Sequence, residues 1–160
     1  MISIKEFDIS YQTQAIDHIL DIENNEFNMG LTLKMQPDLA DIHTMYQKQK
    51  GNFWIALNIN NLIGTIGIYF LTDTSVELRR MFVKAQYRGK EYGVGQKMLV
   101  TALNWAKENG YKEVFLETTD WLVAASRFYT KNDFEEISKD QLPDNLPVLR
   151  YSGKFMRLSL

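Results

Sequence analysis

The chain has 160 residues, 45% of them apolar and 24% charged, which is enough for one globular domain with a sizeable core. Its formal charge of −2 argues against general nucleic-acid binding, because that needs a basic face to neutralise phosphates. The chain has no cysteine, so it has no disulfide, no cysteine-rich zinc site and no covalent cysteine-acyl intermediate. In chain order, Ile2, Ile4, Phe7 and Ile9 predict a first strand. Ala15, Ile16, Ile19, Leu20 and Ile22 recur at helical spacing and predict a helix over 13–24. Residues 24–36 are polar and read as loop-rich or weakly helical. Pro37-Asp38 then starts a helix running towards residue 49, with Leu39, Ile42, Met45 and Tyr46 on one face and Gly51 ending it.

Beyond Gly51 the period changes to that of strands. Residues 53–57 and 62–70 form a predicted hairpin about the turn 58–61, and a second turn at 72–75 leads into a strand over 76–83. A long amphipathic helix over 93–109 follows, with Val94, Met98, Ala102 and Trp105 on one face and Gly110 as its C-terminal stop. A short buried strand at 114–116, a helix at 122–131, a strand at 134–137 and a turn-rich stretch at 139–147 lead to a last strand over 148–160. The order β-α-α-β-β-β-α-β-α-β-β, without repeat or linker, describes a single mixed α/β domain over 1–160. The N-terminal residues lack the basic-then-apolar pattern of a signal peptide, and the longest apolar run, near 62–71, is half a membrane span. A cytoplasmic protein without membrane contact is therefore expected.

The stretch between the fourth strand and the long helix carries the chemistry. Backbone N–H groups at a helix N-terminus lack intrahelical partners, and the helix dipole adds positive potential there. Gly93 and Gly95 let the main chain approach a ligand closely, and Arg88, Lys90 and Lys97 add charge, a combination suited to phosphate and above all to a diphosphate. It is not a P-loop, because no Gly-Lys-Ser/Thr occurs. A dinucleotide fingerprint also fits poorly. Met98 stands where the third glycine belongs, and nine residues, 84–92, separate the strand from Gly93.

In context the stretch resembles motif A of the GNAT superfamily of N-acetyltransferases, a strand ending in Val followed by Arg/Gln-x-x-Gly-x-Gly/Ala at a helix start. Glu77-Leu-Arg-Arg-Met-Phe-Val83 and Tyr87-Arg-Gly-Lys90 have the wording of that family. Ala124-Ala-Ser-Arg-Phe-Tyr-Thr-Lys-Asn-Asp-Phe134 resembles its motif B. The resemblance implies a single-domain GNAT-like α/β (α+β) fold. Its sheet would be mixed, mostly antiparallel and seven-stranded, splayed between strands 4 and 5, with about four flanking helices. It also implies acetyl-CoA, or another acyl-CoA, as donor and a primary amine as acceptor, on a small molecule, an amino-acid derivative or a peptide or protein terminus. The diphosphate would rest on Gly93, Val94, Gly95 and Gln96. The pantetheine arm would run along the main chain of Met81, Phe82 and Val83. Gly89 belongs to the same loop. Glu91 and Tyr92 lengthen that loop by two residues, so either Lys90, counted from the helix, or Arg88, counted from the strand, takes the Arg/Gln place. Asp133 replaces the usual Gly before Phe134, a change that left-handed backbone tolerates, and Leu122 replaces an Asn common in motif B.

The residues themselves support a bulge in the fourth strand, because side-chain alternation stumbles at Arg79-Arg80. Acyl transfer to an amine needs a neutral amine, a polarised carbonyl and a protonated leaving thiolate. By resemblance Tyr129 is the general acid. Glu77 or Glu117, flanking the expected gap, is the base, unless each pairs with Arg79 or Arg80 instead. A backbone N–H freed by the bulge would polarise the carbonyl. Direct attack in a ternary complex is the expected route. A catalytically silent acyl-CoA sensor is the alternative and differs only in the acid and base. His18 and His43 stand apart without a carboxylate cluster, so no metal is expected, and Trp121 is a candidate to stack on adenine or acceptor. A homodimer through the last strand, with Phe155 and Met156, is a further expectation.

Overall fold

The structure is a computed structural model and describes residues 1–119, 123–146 and 153–160. One seven-stranded sheet runs in the order β1-β2-β3-β4-β5-β7-β6. Its strands are β1 (Ile2–Glu6), β2 (Asn52–Asn58), β3 (Asn61–Thr72), β4 (Ser75–Val83), β5 (Glu113–Thr118), β6 (Glu135–Ile137) and β7 (Lys154–Ser159). Every neighbouring pair is antiparallel except β4 and β5, which run parallel. The helices are α1 (Gln12–Asp21), α2 (Pro37–Ala40), α3 (Ile42–Met45), α4 (Val94–Glu108) and α5 (Val123–Lys131).

The two larger of three apolar cores lie on opposite faces of the sheet. On one face of the sheet, Val94, Met98, Leu99 and Ala102 of α4 and Tyr129 of α5 pack on Ile66, Ile68, Val76, Leu78 and Leu116. On the other, Ala15 and Ile19 of α1, Leu39 of α2 and Ile42 of α3 pack on Phe53, Ile55 and Leu57. β2 is covered on both faces, which is why its sequence is apolar almost throughout.

The structure departs from the sequence reading in four places. The first helix does not stop at 24; after Asp21 it widens into a single π turn, Ile22–Glu26. The helix expected from Pro37 towards 49 is interrupted at Asp41, whose backbone is non-helical (φ −150°, ψ 84°) and whose carboxylate caps the amide of Thr44 at 3.1 Å. The chain therefore has five helices among the described residues rather than about four. The first strand ends at Glu6, because Asp8 accepts a hydrogen bond from the Ser10 amide at 2.8 Å and turns the chain. The expected dimer edge fails outright. β7 is paired on both sides, with β5 and β6, and Phe155 and Met156 are buried, so the outermost strands among the described residues are β1 and β6. Of the last predicted strand, residues 148–152 lie outside the described residues, as do Leu122 and Trp121.

Two irregularities shape the middle of the sheet. The β4–β5 ladder holds only Ser75, Val76 and Glu77 against Glu113, Val114 and Phe115, so the remainder of β4 diverges from β5. Opposite, Thr65 faces Phe82 and Gly67 faces Arg79, leaving Arg80 and Met81 against Ile66 alone. Arg80 has φ +57°, and Thr65 Oγ1 donates to its carbonyl at 2.8 Å. This is the expected bulge. Its consequence is that Arg79 and Arg80 both face the α1–α3 side, while Leu78 and Met81 face α4.

Candidate active site

Helix α4 begins at Gly93, whose φ of +64° is left-handed backbone that L side chains avoid. No side chain caps this end, so the amides of Val94, Gly95 and Gln96 lack partners among the described residues, and Lys97 is the first to bond back, to the Gly93 carbonyl at 3.0 Å. A Cβ on Gly95 would stand 3.5 Å from the Met81 methyl and 3.9 Å from Val83 and Phe128, so Gly95 lies where α4 meets β4 and α5. Gln96 donates to Asn132 Oδ1 at 2.8 Å and ties the two helices together. Three free amides on a 15-residue helix fit an anion such as a diphosphate.

The structure separates the charges expected around that anion. Lys90 and Lys97 are exposed near the glycines. Arg88 instead reaches back. Its Nε donates to the Val83 carbonyl at 2.7 Å, and its terminal nitrogens form a fork with Glu26, one bond at 2.7 Å and the other between Nη1 and Oε2. Gly89 makes the turn, at φ +103°, and its carbonyl accepts from the Gly93 amide at 3.1 Å.

Met81, Phe82 and Val83 line the diverging side of β4. Tyr129 is 8% exposed between the rings of Phe128 and Phe134, and its hydroxyl points at Met81 Sδ, 3.6 Å away. Burial pushes this phenol above its ordinary pKa, so it stays protonated at neutral pH. Asp133 takes the left-handed turn expected of it, at φ +71°.

Across the sheet, Glu77 is 2% exposed and bound to Arg79 Nε. Burial raises its pKa; Arg79 opposes the shift and the nearby charge of Glu117 adds to it. Glu77 thus pairs with Arg79, as the structural alternative required, and it also keeps the raised pKa that a base needs. Beside this pair lies a network with no local signal in the sequence. Arg80 grips Asp38 with two bonds, at 2.7 and 2.9 Å, reaches Glu23 at 3.4 Å, and also bonds Gln36. Tyr46 donates to Asp38 at 2.6 Å and Gln36 to Glu23 at 2.9 Å. Burial pushes Asp38 up, but the Arg80 charge and the hydrogen bonds outweigh it and hold the carboxyl below its ordinary range.

His18 also belongs to this layer. It is 5% exposed, and its Nε2 lies 3.1 Å from the Phe82 carbonyl, which makes Nε2 the protonated nitrogen. Nδ1 is buried without a hydrogen-bond partner, and burial lowers the pKa from 6.5 to about 4. The unfolded chain therefore binds a proton on His18 that the folded protein refuses. Stability falls as pH drops from 6.5 towards 4, by about 3 kcal/mol from this group. An His18→Gln variant, measured by urea unfolding across that range, is expected to show a shallower acid loss.

A family model described as the acetyltransferase (GNAT) family matches residues 16–134. The chain belongs to that family. In structure it is similar to an acetyltransferase of the GNAT family from Staphylococcus aureus, with 35% identity, a TM-score of 0.94 and 99% of each chain covered. In sequence it is 33% identical over 109 residues to the N-acetylaspartate synthetase of Xenopus tropicalis, spanning 67% of this chain and 40% of that protein. The PaiA N-acetyltransferase of Thermoplasma acidophilum, solved with coenzyme A, shares the fold at 18% identity, with a TM-score of 0.76 over 100% of this chain and 99% of that one. Membership of this GNAT family agrees with the poor fit of the glycine loop to a dinucleotide fingerprint. Among the described residues no helix is long and apolar enough to cross a membrane.

Proposed function

We propose that this GNAT protein transfers an acetyl group from acetyl-CoA to a primary amine by direct attack in a ternary complex. The observation that carries the reading is the opening in the sheet. β4 parts from β5 after Glu77, and the parted edge is flanked by the uncapped N-terminus of α4 and by the Tyr129 hydroxyl. The acetyltransferase relatives and the neighbour that binds coenzyme A support it.

In this reading the amides of Val94, Gly95 and Gln96 hold the diphosphate, and the main chain of Met81, Phe82 and Val83 aligns the pantetheine arm. When bound, acetyl-CoA supplies the thioester carbonyl that the amine attacks. Glu77, with Glu117 beside it, takes the proton of the acceptor's ammonium. Making a Lys-like amine neutral at pH 7.4 costs about 4 kcal/mol in water, so a carboxylate with a raised pKa at the attack point lowers a real barrier. A backbone amide at the Arg80–Met81 bulge polarises the carbonyl. As the new C–N bond forms and the C–S bond breaks, Tyr129 donates its proton to the departing sulfur.

Two measurements test this. Acetyl-CoA at about 100 times its dissociation constant should add about 2.7 kcal/mol of stability, read as a shift in melting temperature that NAD(P) does not produce. Thiol release from acetyl-CoA should then follow addition of amines from a panel of small amines, amino acids and peptides. Stabilisation by acetyl-CoA with no thiol release from any acceptor would overturn the reading in favour of a silent acyl-CoA sensor.

A further inference from the structure

Arg79 and Arg80 are neighbours on one face of the sheet, yet their guanidinium groups are used differently. Every nitrogen of Arg80 is bound, to Asp38, Glu23 or Gln36. Arg79 uses only Nε, on Glu77. Its two terminal nitrogens have no hydrogen-bond partner among the described residues, and neither is sealed from solvent. The group is nevertheless fixed in place, because it lies 3.8 Å above the centre of the Tyr69 ring and its side chain is only 14% exposed. A guanidinium stacked on a ring and pinned at Nε presents the remaining two donors as a rigid fork, the geometry that receives a carboxylate through two parallel bonds.

Its surroundings describe what such a ligand must also carry. Glu77 is the strand position two residues before Arg79, opposite Phe115. Glu117, close enough for its charge to act on Glu77, is opposite Phe155. Phe115, Phe155 and Leu71 form an apolar wall on the same side of the sheet. The site thus sets a carboxylate-binding fork within one side chain of a carboxylate pair that suits an ammonium.

We propose that Arg79 is the specificity-determining residue for the acceptor. It binds the acceptor's carboxylate with its two terminal nitrogens, so the preferred acceptor is a free α-amino acid presented with its amine towards Glu77 and Glu117. The inference rests on the acyl-transfer reading above and narrows it. A lysine side chain or a protein terminus carries no carboxylate next to its amine and leaves the fork unmatched. A site built to bond a polar group rejects an analogue lacking it by large factors, on the order of 10²-fold or more.

The test compares L-aspartate, L-glutamate, L-leucine and L-phenylalanine with their α-carboxamides in thiol release from acetyl-CoA, each corrected for its fraction of free amine. At least one acid is expected to exceed its amide by about 100-fold in kcat/KM. In Arg79→Gln that preference should collapse through KM for the acid, with the KM for acetyl-CoA changed only a few-fold; because Arg79 also bonds Glu77, any loss of kcat falls on acid and amide alike, and the ratio between them is the readout. Arg79→Lys, which keeps the charge and loses the fork, should fall between. Thermal stabilisation by acetyl-CoA checks that each variant folds, and the acid-to-amide ratio of the wild type needs no variant. Equal turnover of acids and amides, faster turnover of amines without a carboxylate, or an equal loss on both in Arg79→Gln overturns the assignment of Arg79 while leaving acyl transfer standing. No thiol release from any acceptor overturns both.

Discussion

Tyr129→Phe is expected to lower kcat by roughly 10²–10⁴-fold, the range typical of a lost general acid, while leaving the fold and acetyl-CoA affinity near wild type. The substitution is clean because the hydroxyl does so little for folding. Its one hydrogen bond among the described residues is with Met81 Sδ at 3.6 Å, a long bond to a weak acceptor. The ring, packed edge-on at 5.7 Å from Phe128 and 5.6 Å from Phe134, stays where it is. A shift in stability under about 1 kcal/mol is therefore expected. As an acid Tyr129 works uphill. Burial raises its pKa above 10, whereas a free thiol titrates near 8.5, so it donates only as charge gathers on sulfur. The variant's kcat, measured by thiol release beside its melting curve, decides the matter. A rate within a few-fold of wild type would remove Tyr129 from the mechanism.

Arg80→Met is expected to cost about 3–5 kcal/mol, a large share of the roughly 5–15 kcal/mol that holds a domain of this kind together. Methionine has a similar reach, so the loss is one of charge. Asp38, 7% exposed, and Glu23, 2% exposed, would be left with no cation bound to them. The same arginine also holds the left-handed backbone of the bulge, with Thr65 on its carbonyl and Asp38 on its side chain. Arg80→Gly, which relieves the backbone but not the charge loss, should recover part of the deficit. The acid response has a definite sign. Asp38 titrates below its ordinary range when folded, so its contribution is complete above pH 4 and is lost as pH falls below that. Glu23 runs oppositely. Burial raises its pKa, so it weakens the fold when charged, and that cost disappears on acidification. Urea unfolding of Arg80→Met against wild type at pH 7 checks the magnitude. A loss under about 1 kcal/mol would mean that the network is not what anchors α2 to the sheet.

The two residues proposed for proton transfer differ in how they could be found. Tyr129 lies in a motif whose spacing is local and readable. Glu77 follows from alternation along one strand, since Val76 and Leu78 are core positions and Glu77 must face away from them. The partner that modifies Glu77 is also local, two residues on. Asp38 and Glu23 had no such route. They meet Arg80 across 42 and 57 residues of sequence, from a short helix and a π turn that periodicity does not reveal. Arg88 is a similar case, since its partner Glu26 is 62 residues away.

What the sequence determined by itself was whatever depends on near neighbours. That includes the continuous apolar runs of β2 and β3, the 3.6-residue period of α4, its glycine start with no capping side chain, the stumble at Arg79-Arg80, and the left-handed turn at Asp133. These are short-range consequences of backbone sterics and of which side of an element meets water, so they survive without knowledge of the rest of the chain. Tertiary structure alone decided that β7 lies between β5 and β6, and that Arg80 is sealed in carboxylates while Arg79 keeps two donors free among the described residues. The physical reason is that a buried charge takes its partner from whatever element closes over it, and that choice is made by packing across the sheet, where distance along the chain carries no information.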